Sequence, residues 1–209
     1  SELRGKDKFY HYRKQEECFN KGIDLTYFTD KQVLEQPDIV KNKISSLLGF
    51  NKKIYARNCR IYSVSKEEEK AFLEENHFQG YIQSVYRFGL YYNNSLVALM
   101  TFGRSRYNKN YDYELLRFCS KNYLTVVGGA SKLFKCFVKQ YPGTIISYCD
   151  LSRSFNSKFY ESIGFKYSGR SSPNYWYTQN YKELFPRIKF QKHKLKNLLE
   201  NFNPNKTEW

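Results

Sequence analysis

The chain has 209 residues, enough for one large domain or for one domain and a smaller piece. Its 35 Lys and Arg residues outnumber its 20 Asp and Glu residues, which gives a formal net charge of +15. This excess favours a polyanionic partner, and DNA over a membrane, because the sequence has neither a basic amphipathic anchor nor an apolar span. The 20 tyrosines add weight to nucleic acid, since exposed aromatic rings stack on bases.

Cysteine usage indicates the redox setting. The cysteines are odd in number, scattered and without close paired spacing, so they predict reduced intracellular thiols packed in a core rather than a disulfide framework. Only three histidines accompany them, no zinc-cluster spacing can be read, and we expect no metal site. No signal peptide is visible, and the expected location is the cytoplasm. The five cysteines are Cys18, Cys59, Cys119, Cys136 and Cys149.

The first 49 residues predict a short helix–strand–helix unit. Residues 1–22 form a charged helix after a start without a hydrophobic nucleus. Residues 23–28 alternate in the manner of a strand, and Pro37 then begins a helix over residues 38–48. These elements contain too few strands to close a sheet of their own.

The next stretch predicts a strand, a helix and a hairpin. Residues 54–64 alternate as a strand, and Ser65 followed three residues later by Glu68 is a capping box for a helix. A turn at Asn93 and Asn94 then joins the first two of three further strands, and a basic loop, residues 103–110, precedes the third. These strands are predicted at residues 87–92, 96–102 and 113–119.

A glycine turn organises the second half of the chain. A β-branched run at residues 125–127 meets Gly128 and Gly129, and apolar residues at helical spacing follow. Small residues between a strand and a helix let backbone N–H groups face outward, where an anion is favoured. Beyond this helix the pattern predicts a strand at residues 144–149, a helix at 156–163, an aromatic strand at 172–178 and a basic tail helix at 187–201.

The order of elements from residue 54 resembles the GNAT acyltransferase fold. That resemblance implies an α/β fold in which helices flank a mixed central sheet. The turn is similar to the family's acyl-CoA pyrophosphate loop, although Thr125 stands where the family has Arg or Gln. Phe159 to Phe165, with its Gly-Phe end, resembles a late signature of the family. The resemblance implies that acetyl-CoA or another acyl-CoA is the cofactor, held by Val127, Gly128, Gly129, Ala130 and Ser131.

A second resemblance covers nearly the whole chain and rests on the segments KKIYARNCRI, YELLRFCSKN, VVGGASKLFK and SPNYWYT. They are similar to the C-terminal region of phage homing-endonuclease-like proteins, in which a very-short-patch-repair-like nuclease domain precedes a GNAT-like region. The resemblance implies a nuclease-like remnant at residues 1–49, a GNAT-like domain at 50–185 and a basic helix and tail at 186–209. The acidic metal-binding core of the nuclease would lie upstream of Ser1, so we expect no DNA cleavage by this chain.

The GNAT-like block also resembles the Mom-type proteins that modify DNA bases, and this resemblance implies catalytic candidates. Tyr160 would return a proton to the departing thiolate, and Asp150 or Glu114 would act as base on the attacking amine. Ser131 would hydrogen-bond phosphate or substrate. Structural alternatives are open for each: Tyr160 packing under the sheet, Ser131 satisfying helix N-terminal donors, and Glu114 in a salt bridge with Arg117.

Three basic groups are the candidates for DNA contact. Cationic side chains would hold phosphates, and exposed aromatics would stack on an unpaired or extruded base. The alternative is a solvated basic surface around core aromatics, and alternation along the strand predicts that one of Trp176 and Tyr177 is buried. His77 is expected to be a loop or capping residue. The candidates are Arg104, Arg106 and Lys109 on one loop, Arg153, Arg170, Tyr175 and Trp176 later in the chain, and Lys192 and Lys194 in the tail.

The leading functional prediction is a DNA-binding GNAT-like module of a phage homing-endonuclease-like protein, acting in an infected or host bacterial cell. The alternative is a Mom-type acyltransferase that modifies DNA bases. A third, weaker alternative is an acetyltransferase acting on a protein or a small amine.

Overall fold

The structure, a computed structural model, describes residues 9–152, 158–171, 176–179 and 183–206. The chain forms two compact units, one spanning His11–Tyr167 and the other containing the described residues from Ser168 onward together with Phe9 and Tyr10. The helices in chain order are α1 (Tyr10–Asn20), α2 (Asp30–Glu35), α3 (Pro37–Leu47), α4 (Lys66–Asn76), α5 (Gly129–Gln140), α6 (Lys158–Ser162) and α7 (Lys192–Leu195). The strands are β1 (Lys52–Tyr55), β2 (Arg60–Ser63), β3 (Tyr86–Tyr92), β4 (Ser95–Arg104), β5 (Tyr113–Ser120), β6 (Leu124–Val127), β7 (Ile145–Ser147), β8 (Trp176–Gln179) and β9 (Glu183–Pro186).

The first unit is a mixed α/β structure built on a mostly antiparallel sheet. Its five strands lie in the order β2, β3, β4, β5 and β7, and every neighbouring pair is antiparallel except β5 and β7. Strands β1 and β6 form a separate parallel pair. Helices flank the central sheet, so the prediction of a mixed sheet with flanking helices is confirmed at this level.

The local signals explain the central elements. The Ser65 hydroxyl accepts a hydrogen bond from the Glu68 N–H at 3.1 Å and so caps α4. Asn93 and Asn94, between β3 and β4, both have positive φ, at 48° and 61°, which a tight hairpin turn requires and asparagine tolerates. Four of the predicted elements therefore form close to where the pattern placed them: α4, β3, β4 and β5.

The main core lies between the sheet and α5. Phe102 on β4 stacks on Phe137 of α5 with their ring centroids 3.6 Å apart. Leu133, one turn earlier on the helix, is fully buried in the same cluster. A smaller cluster forms under α4, around Leu73 and Leu99. The helical spacing of apolar residues in α5 thus identifies the face that packs on the sheet.

Two predictions about the first 64 residues are wrong. Residues 54–64 do not form one strand, because β1 pairs with β6 whereas β2 pairs with β3, and a 3₁₀ turn, Ala56–Asn58, redirects the chain between them. Residues 23–28 form no strand either. Side chains of α1 hold them instead, since Gln15 Nε2 donates to the carbonyl oxygen of Leu25 at 3.3 Å.

The second unit contains a hairpin and short helical turns. Strands β8 and β9 pair antiparallel, with Trp176 opposite Pro186. The predicted tail helix is much shorter than expected: a 3₁₀ turn, Arg187–Phe190, precedes the four-residue α7. Asparagines at positions 197 and 201 compete with helical hydrogen bonds, which accounts for the early end. None of the described helices is both long and apolar enough to cross a bilayer.

Candidate functional site

Glu114 is a buried charged group of the first unit that is held by several hydrogen bonds. It lies at the start of β5, is 1 % exposed and accepts three hydrogen bonds from Arg106. The backbone N–H and Nε of Arg106 donate to Oε2 at 3.2 and 3.0 Å, and Nη2 donates to Oε1 at 2.5 Å. Such a forked, charge-assisted pair is the strongest arrangement available to a buried carboxylate. A carboxylate held in this way is not available as a base until Arg106 leaves it.

The salt bridge expected between Glu114 and Arg117 does not form. Arg117 Nε donates to the Gly80 carbonyl at 3.2 Å, and Nη1 donates to the Leu116 carbonyl at 2.9 Å. The β4–β5 pairing has a bulge at this point: Thr101 pairs with Arg117, but Phe102 pairs with Leu115, which leaves Glu114 and Arg117 on the same face of β5. The bulge changes the register between the two ends of β5, and the loop after β4 supplies the partner of Glu114 instead.

Arg117 nevertheless links two parts of the site. Burial lowers the pKa of its guanidinium, Arg106 lowers it further, and both Glu114 and Tyr160 oppose the shift. The side chains of Glu114 and Tyr160 therefore both interact electrostatically with one half-buried cation. The Glu114 carboxylate and the Tyr160 phenol, both predicted to be catalytic, have different hydrogen-bond partners.

His77 ends α4 and is neutral at ordinary pH. Its ring Nδ1 accepts a hydrogen bond from the Gln79 backbone N–H at 3.1 Å, and the His77 backbone N–H donates to the Leu73 carbonyl. Burial, and secondarily the charge of Arg117, lowers the pKa of His77 to about 4. These contacts make His77 a capping residue that shapes the loop carrying Gly80.

Tyr160 lies on α6 beside the end of β7. Burial raises the pKa of its phenol, and the Cys149 and Asp150 side chains raise it further, while a hydrogen bond with Ser147 opposes them. The ring contacts Phe165 edge-on, with centroids 5.9 Å apart. The packing alternative and a proton-donating role are thus compatible, since the ring packs while the hydroxyl meets polar side chains.

Asp150 has a local structural role. It is exposed, and its Oδ1 accepts hydrogen bonds from the Ser152 N–H at 3.0 Å and the Ser152 hydroxyl at 2.7 Å. These bonds build a turn after β7, a common use of aspartate. The residue lies within electrostatic range of Tyr160, so the structure places these two catalytic candidates in one neighbourhood.

At the glycine turn, Gly128 and Gly129 leave the backbone without side chains that would hinder the close approach of another group. Gly128 has φ 75° and is exposed, and a Cβ there would meet only Ala56 Cβ, at 3.9 Å. Gly129 is buried, and a Cβ there would lie 3.0 Å from Val126 Cγ1. Among the described residues, no side chain caps the start of α5, and a helix N-terminus of this kind favours an anion.

The other residues predicted at this turn differ in exposure. Val127 is exposed, whereas Ala130 and Ser131 are half-buried on the first turn of α5. Lys132, which no prediction included, sends its Nζ to the carbonyl oxygens of Ala56 and Cys59, at 2.8 and 2.6 Å. That ammonium group ties the turn to the junction between β1 and β2 and leaves positive charge beside it.

The cations predicted for DNA contact at residues 103–110 differ in whether the protein already holds their side chains. Arg104 is exposed at the end of β4, and its side chain makes no hydrogen bond or ion pair with the other described residues. Lys109 is also exposed, and its Nζ donates to the Ser105 carbonyl at 2.9 Å. Arg106 is committed to Glu114. Tyr107, between these cations, is 75 % exposed and touches Tyr148 edge-on, with centroids 5.6 Å apart.

The later candidates for DNA contact fall in different places. Arg153 and Tyr175 lie outside the described residues. Arg170, Lys192 and Lys194 are exposed in the second unit. The Nζ of Lys194 donates to the Ile188 carbonyl at 2.8 Å. Trp176 is exposed, and the adjacent Tyr177 turns inward to contact Phe190.

Sequence reasoning missed two of the side chains that meet the Tyr160 hydroxyl. Ser147 and Cys149 stand two positions apart at the end of the predicted strand 144–149, so alternation along that strand was a usable signal. The pairing of Arg106 with Glu114 had no such signal, because it depends on how a loop folds back.

Within the part of the chain that the structure describes, no three metal-ligating side chains come together. The five cysteines are free thiols, and Cys59 is buried in the main core. No family model, curated protein or solved structure matches the chain.

Proposed function

We propose that this chain is a DNA-binding module with a GNAT-like fold, of the kind found in phage homing-endonuclease-like proteins. The observation that carries the DNA-binding part is the end of β4 and the loop after it, where Arg104, Tyr107 and Lys109 are all exposed. Two cations that flank an exposed aromatic ring suit a phosphate backbone with an accessible base. The net charge of +15 points to the same class of partner.

The sheet topology supports the GNAT-like part of the proposal. The chain runs through antiparallel β2 to β5, crosses by the glycine turn and α5, and returns as β7 parallel to β5. Only three residue pairs join β5 and β7, starting at Tyr113 and Ile145. Beyond them β5 continues without β7, and Phe118 stacks on Phe159 of α6 instead.

Fluorescence anisotropy with a labelled DNA duplex at several salt concentrations tests DNA binding. Changing Arg104 and Lys109 together to Gln should lower the slope of log affinity against log salt by about 2, at about 1 per lost phosphate contact. A matched pair, Lys70→Gln with Lys135→Gln, removes the same charge from the exposed faces of α4 and α5. An equal effect of both pairs, or no binding by the unchanged chain, would refute the proposed site. Arg106 is left intact because its loss would also perturb Glu114.

A second candidate function, modification of DNA bases by a Mom-type acyltransferase, is favoured by the surroundings of Tyr160. A phenol with a raised pKa stays protonated, and a protonated phenol can donate to a departing thiolate. The uncapped first turn of α5 would hold the phosphates of an acyl-CoA. Asp150 would assist the attacking amine only after releasing Ser152.

Mass spectrometry of nucleosides from cells that express the chain tests this second function. Unchanged protein should produce nucleosides of increased mass, Tyr160→Phe should reduce their yield strongly, and Asp150→Asn should do so if Asp150 is the base. Nucleosides identical to those of cells without the protein would rule the acyltransferase out and leave DNA binding as the function.

A further inference from the structure

A cavity of about 430 Å³ opens in the second unit, outside every residue group discussed for acyl transfer. Its volume lies within the range of about 300–1,000 Å³ that is usual for small-molecule sites. Strand β8, the 3₁₀ turn after β9, α7 and the turns that follow it form its walls. Its apolar lining consists of Tyr177, Phe190, Leu195, Leu199 and Phe202.

The aromatic wall of this cavity is fixed by further ring contacts. Tyr177 and Phe190 meet edge-on, with centroids 5.1 Å apart and planes at 74°. Phe185 supports Phe190 from β9, at 5.8 Å, and the Lys189 ammonium lies 4.6 Å from the Phe185 ring centroid. These contacts hold the rings in place, so the cavity offers apolar ring surface without a further ordering cost on binding.

The rim of the cavity is polar and, among its described lining residues, lacks an acidic side chain. Lys192 and Lys206 bring ammonium groups to it, and Asn201 and Asn203 bring amides. The Asn203 Oδ1 accepts a hydrogen bond from the Asn205 N–H at 2.9 Å, which leaves its NH₂ group as the donor towards a ligand. From residue 187 to 206 the chain carries six Lys and Arg residues and one acidic residue, Glu200.

We propose that this cavity binds a single unpaired nucleotide. The base stacks on one ring among Tyr177, Phe190 and Phe202 and packs against the others, the asparagine amides meet its polar edge, and Lys192 with Lys206 hold its phosphate. An aromatic wall next to cationic and amide groups, with no acidic side chain among the described lining residues, matches a base joined to an anion better than it matches a lipid chain or an acidic peptide. The inference rests on the proposed DNA-binding function when the nucleotide is part of a strand; a free mononucleotide offers the same chemistry.

Anisotropy with the full chain and two labelled duplexes tests this inference. One duplex is fully paired, and the other has the same sequence with one additional unpaired adenine. The unchanged chain should bind the second duplex at least about fivefold more tightly, because one stacked base is worth about 1–3 kcal/mol. Asn201→Trp, which fills the cavity from an exposed position, should remove this preference and keep the affinity for the paired duplex.

Variants that remove charge from the rim give a second test of the nucleotide site, one that does not depend on filling the cavity. Lys192→Gln with Lys206→Gln should reduce the preference for the unpaired adenine, whereas Lys196→Gln with Lys139→Gln, on exposed lysines outside the lining, should leave it unchanged. Competition with 2′-deoxyadenosine 5′-monophosphate separates the two sources. Loss of the preference on adding it supports a site that also accepts free nucleotides, and retention supports a site that needs the strand.

The outcomes separate this inference from the proposed function. Equal affinity of the unchanged chain for both duplexes overturns the nucleotide site and leaves DNA binding standing. Absence of binding to either duplex overturns DNA binding, and the absence of any protection of the protein by the mononucleotide against thermal unfolding then overturns the cavity proposal as well. A preference that survives both Asn201→Trp and the Lys192 and Lys206 double variant places the unpaired base elsewhere.

Discussion

Glu114 and Glu69, two buried carboxyl groups of the first unit, differ in the hydrogen bonds that they accept. Glu114 is 1 % exposed, and Arg106 gives it three hydrogen bonds. Glu69 on α4 is 0 % exposed, and among the described residues neither of its oxygens accepts a hydrogen bond. The Arg87 Nη1 lies 3.9 Å from Glu69 Oε2 but donates to the Ser84 carbonyl instead, at 3.1 Å.

The contrast shows that burial alone does not decide whether a carboxylate is charged. A buried charge needs donors, and a carboxyl group without them becomes neutral. Burial raises the pKa of Glu69, against the opposing influence of Ser84, Arg87 and Lys66. Glu114, in contrast, has its charge matched by a guanidinium. The two carboxyl groups therefore differ in their hydrogen-bond donors and not in their burial.

Removing Arg106 is the strongest test of this contrast. Arg106→Ala leaves Glu114 buried without its donors and should lower the free energy of unfolding by about 2–3 kcal/mol, below the usual cost because the Arg106 side chain is 39 % exposed. Urea unfolding measures the change, and Arg104→Ala, at the exposed last residue of β4, is the control for losing an exposed arginine. Adding Glu114→Gln to Arg106→Ala should recover much of the loss. Equal losses in the free energy of unfolding for Arg106→Ala and Arg104→Ala would mean that the pairing of Arg106 with Glu114 contributes little to stability.

A buried base should show the opposite dependence on pH from a buried acid. The pKa of His77 is lowered from 6.5 to about 4 by burial and by Arg117, so the folded chain holds its proton less tightly than the unfolded chain. The stability that His77 contributes is complete above pH 6.5 and is lost as the pH falls towards 4, by about 2–3 kcal/mol in total.

NMR titration of the His77 ring and urea unfolding across this pH range measure both quantities. His77→Gln should flatten the fall in stability between pH 6.5 and 4, whereas His11→Gln, at a histidine of α1, should not. A ring that titrates near 6.5 would show that His77 is solvated and that Arg117 lies too far away to influence it.

The local elements were predictable from the sequence, because periodicity and turn residues report on the chain itself. Asn93 and Asn94 fixed the hairpin between β3 and β4, and the spacing of Leu133 and Phe137 fixed the buried face of α5. The split of residues 54–64 was not predictable, since it arises from two different pairing partners, β6 and β3.

The site was predictable by residue type but not by partner. Glu114 was recognised, yet its pairing with Arg106 rather than Arg117 depends on how the loop after β4 folds back onto the start of β5, and alternation along a strand carries no information about that loop. The same limit applies to Lys132, whose contacts with two carbonyls exist only because β1 and β6 lie side by side.

Replacing Glu69 and Glu114 by Gln one at a time compares the contribution of each carboxyl group to stability. The pKa of Glu69 is raised, so the folded chain binds that proton more tightly than the unfolded chain, and its contribution to stability is lost as the pH rises from about 4.5 through the folded value. Glu69→Gln is neutral at every pH, and we expect it to raise the free energy of unfolding at neutral pH by about 1 kcal/mol. Glu114→Gln should instead lower it by about 1–2 kcal/mol, because charge-assisted hydrogen bonds are lost. Urea unfolding at acid and neutral pH measures both variants, and a loss for Glu69→Gln as large as that for Glu114→Gln would mean that Glu69 is ionised and paired with Arg87.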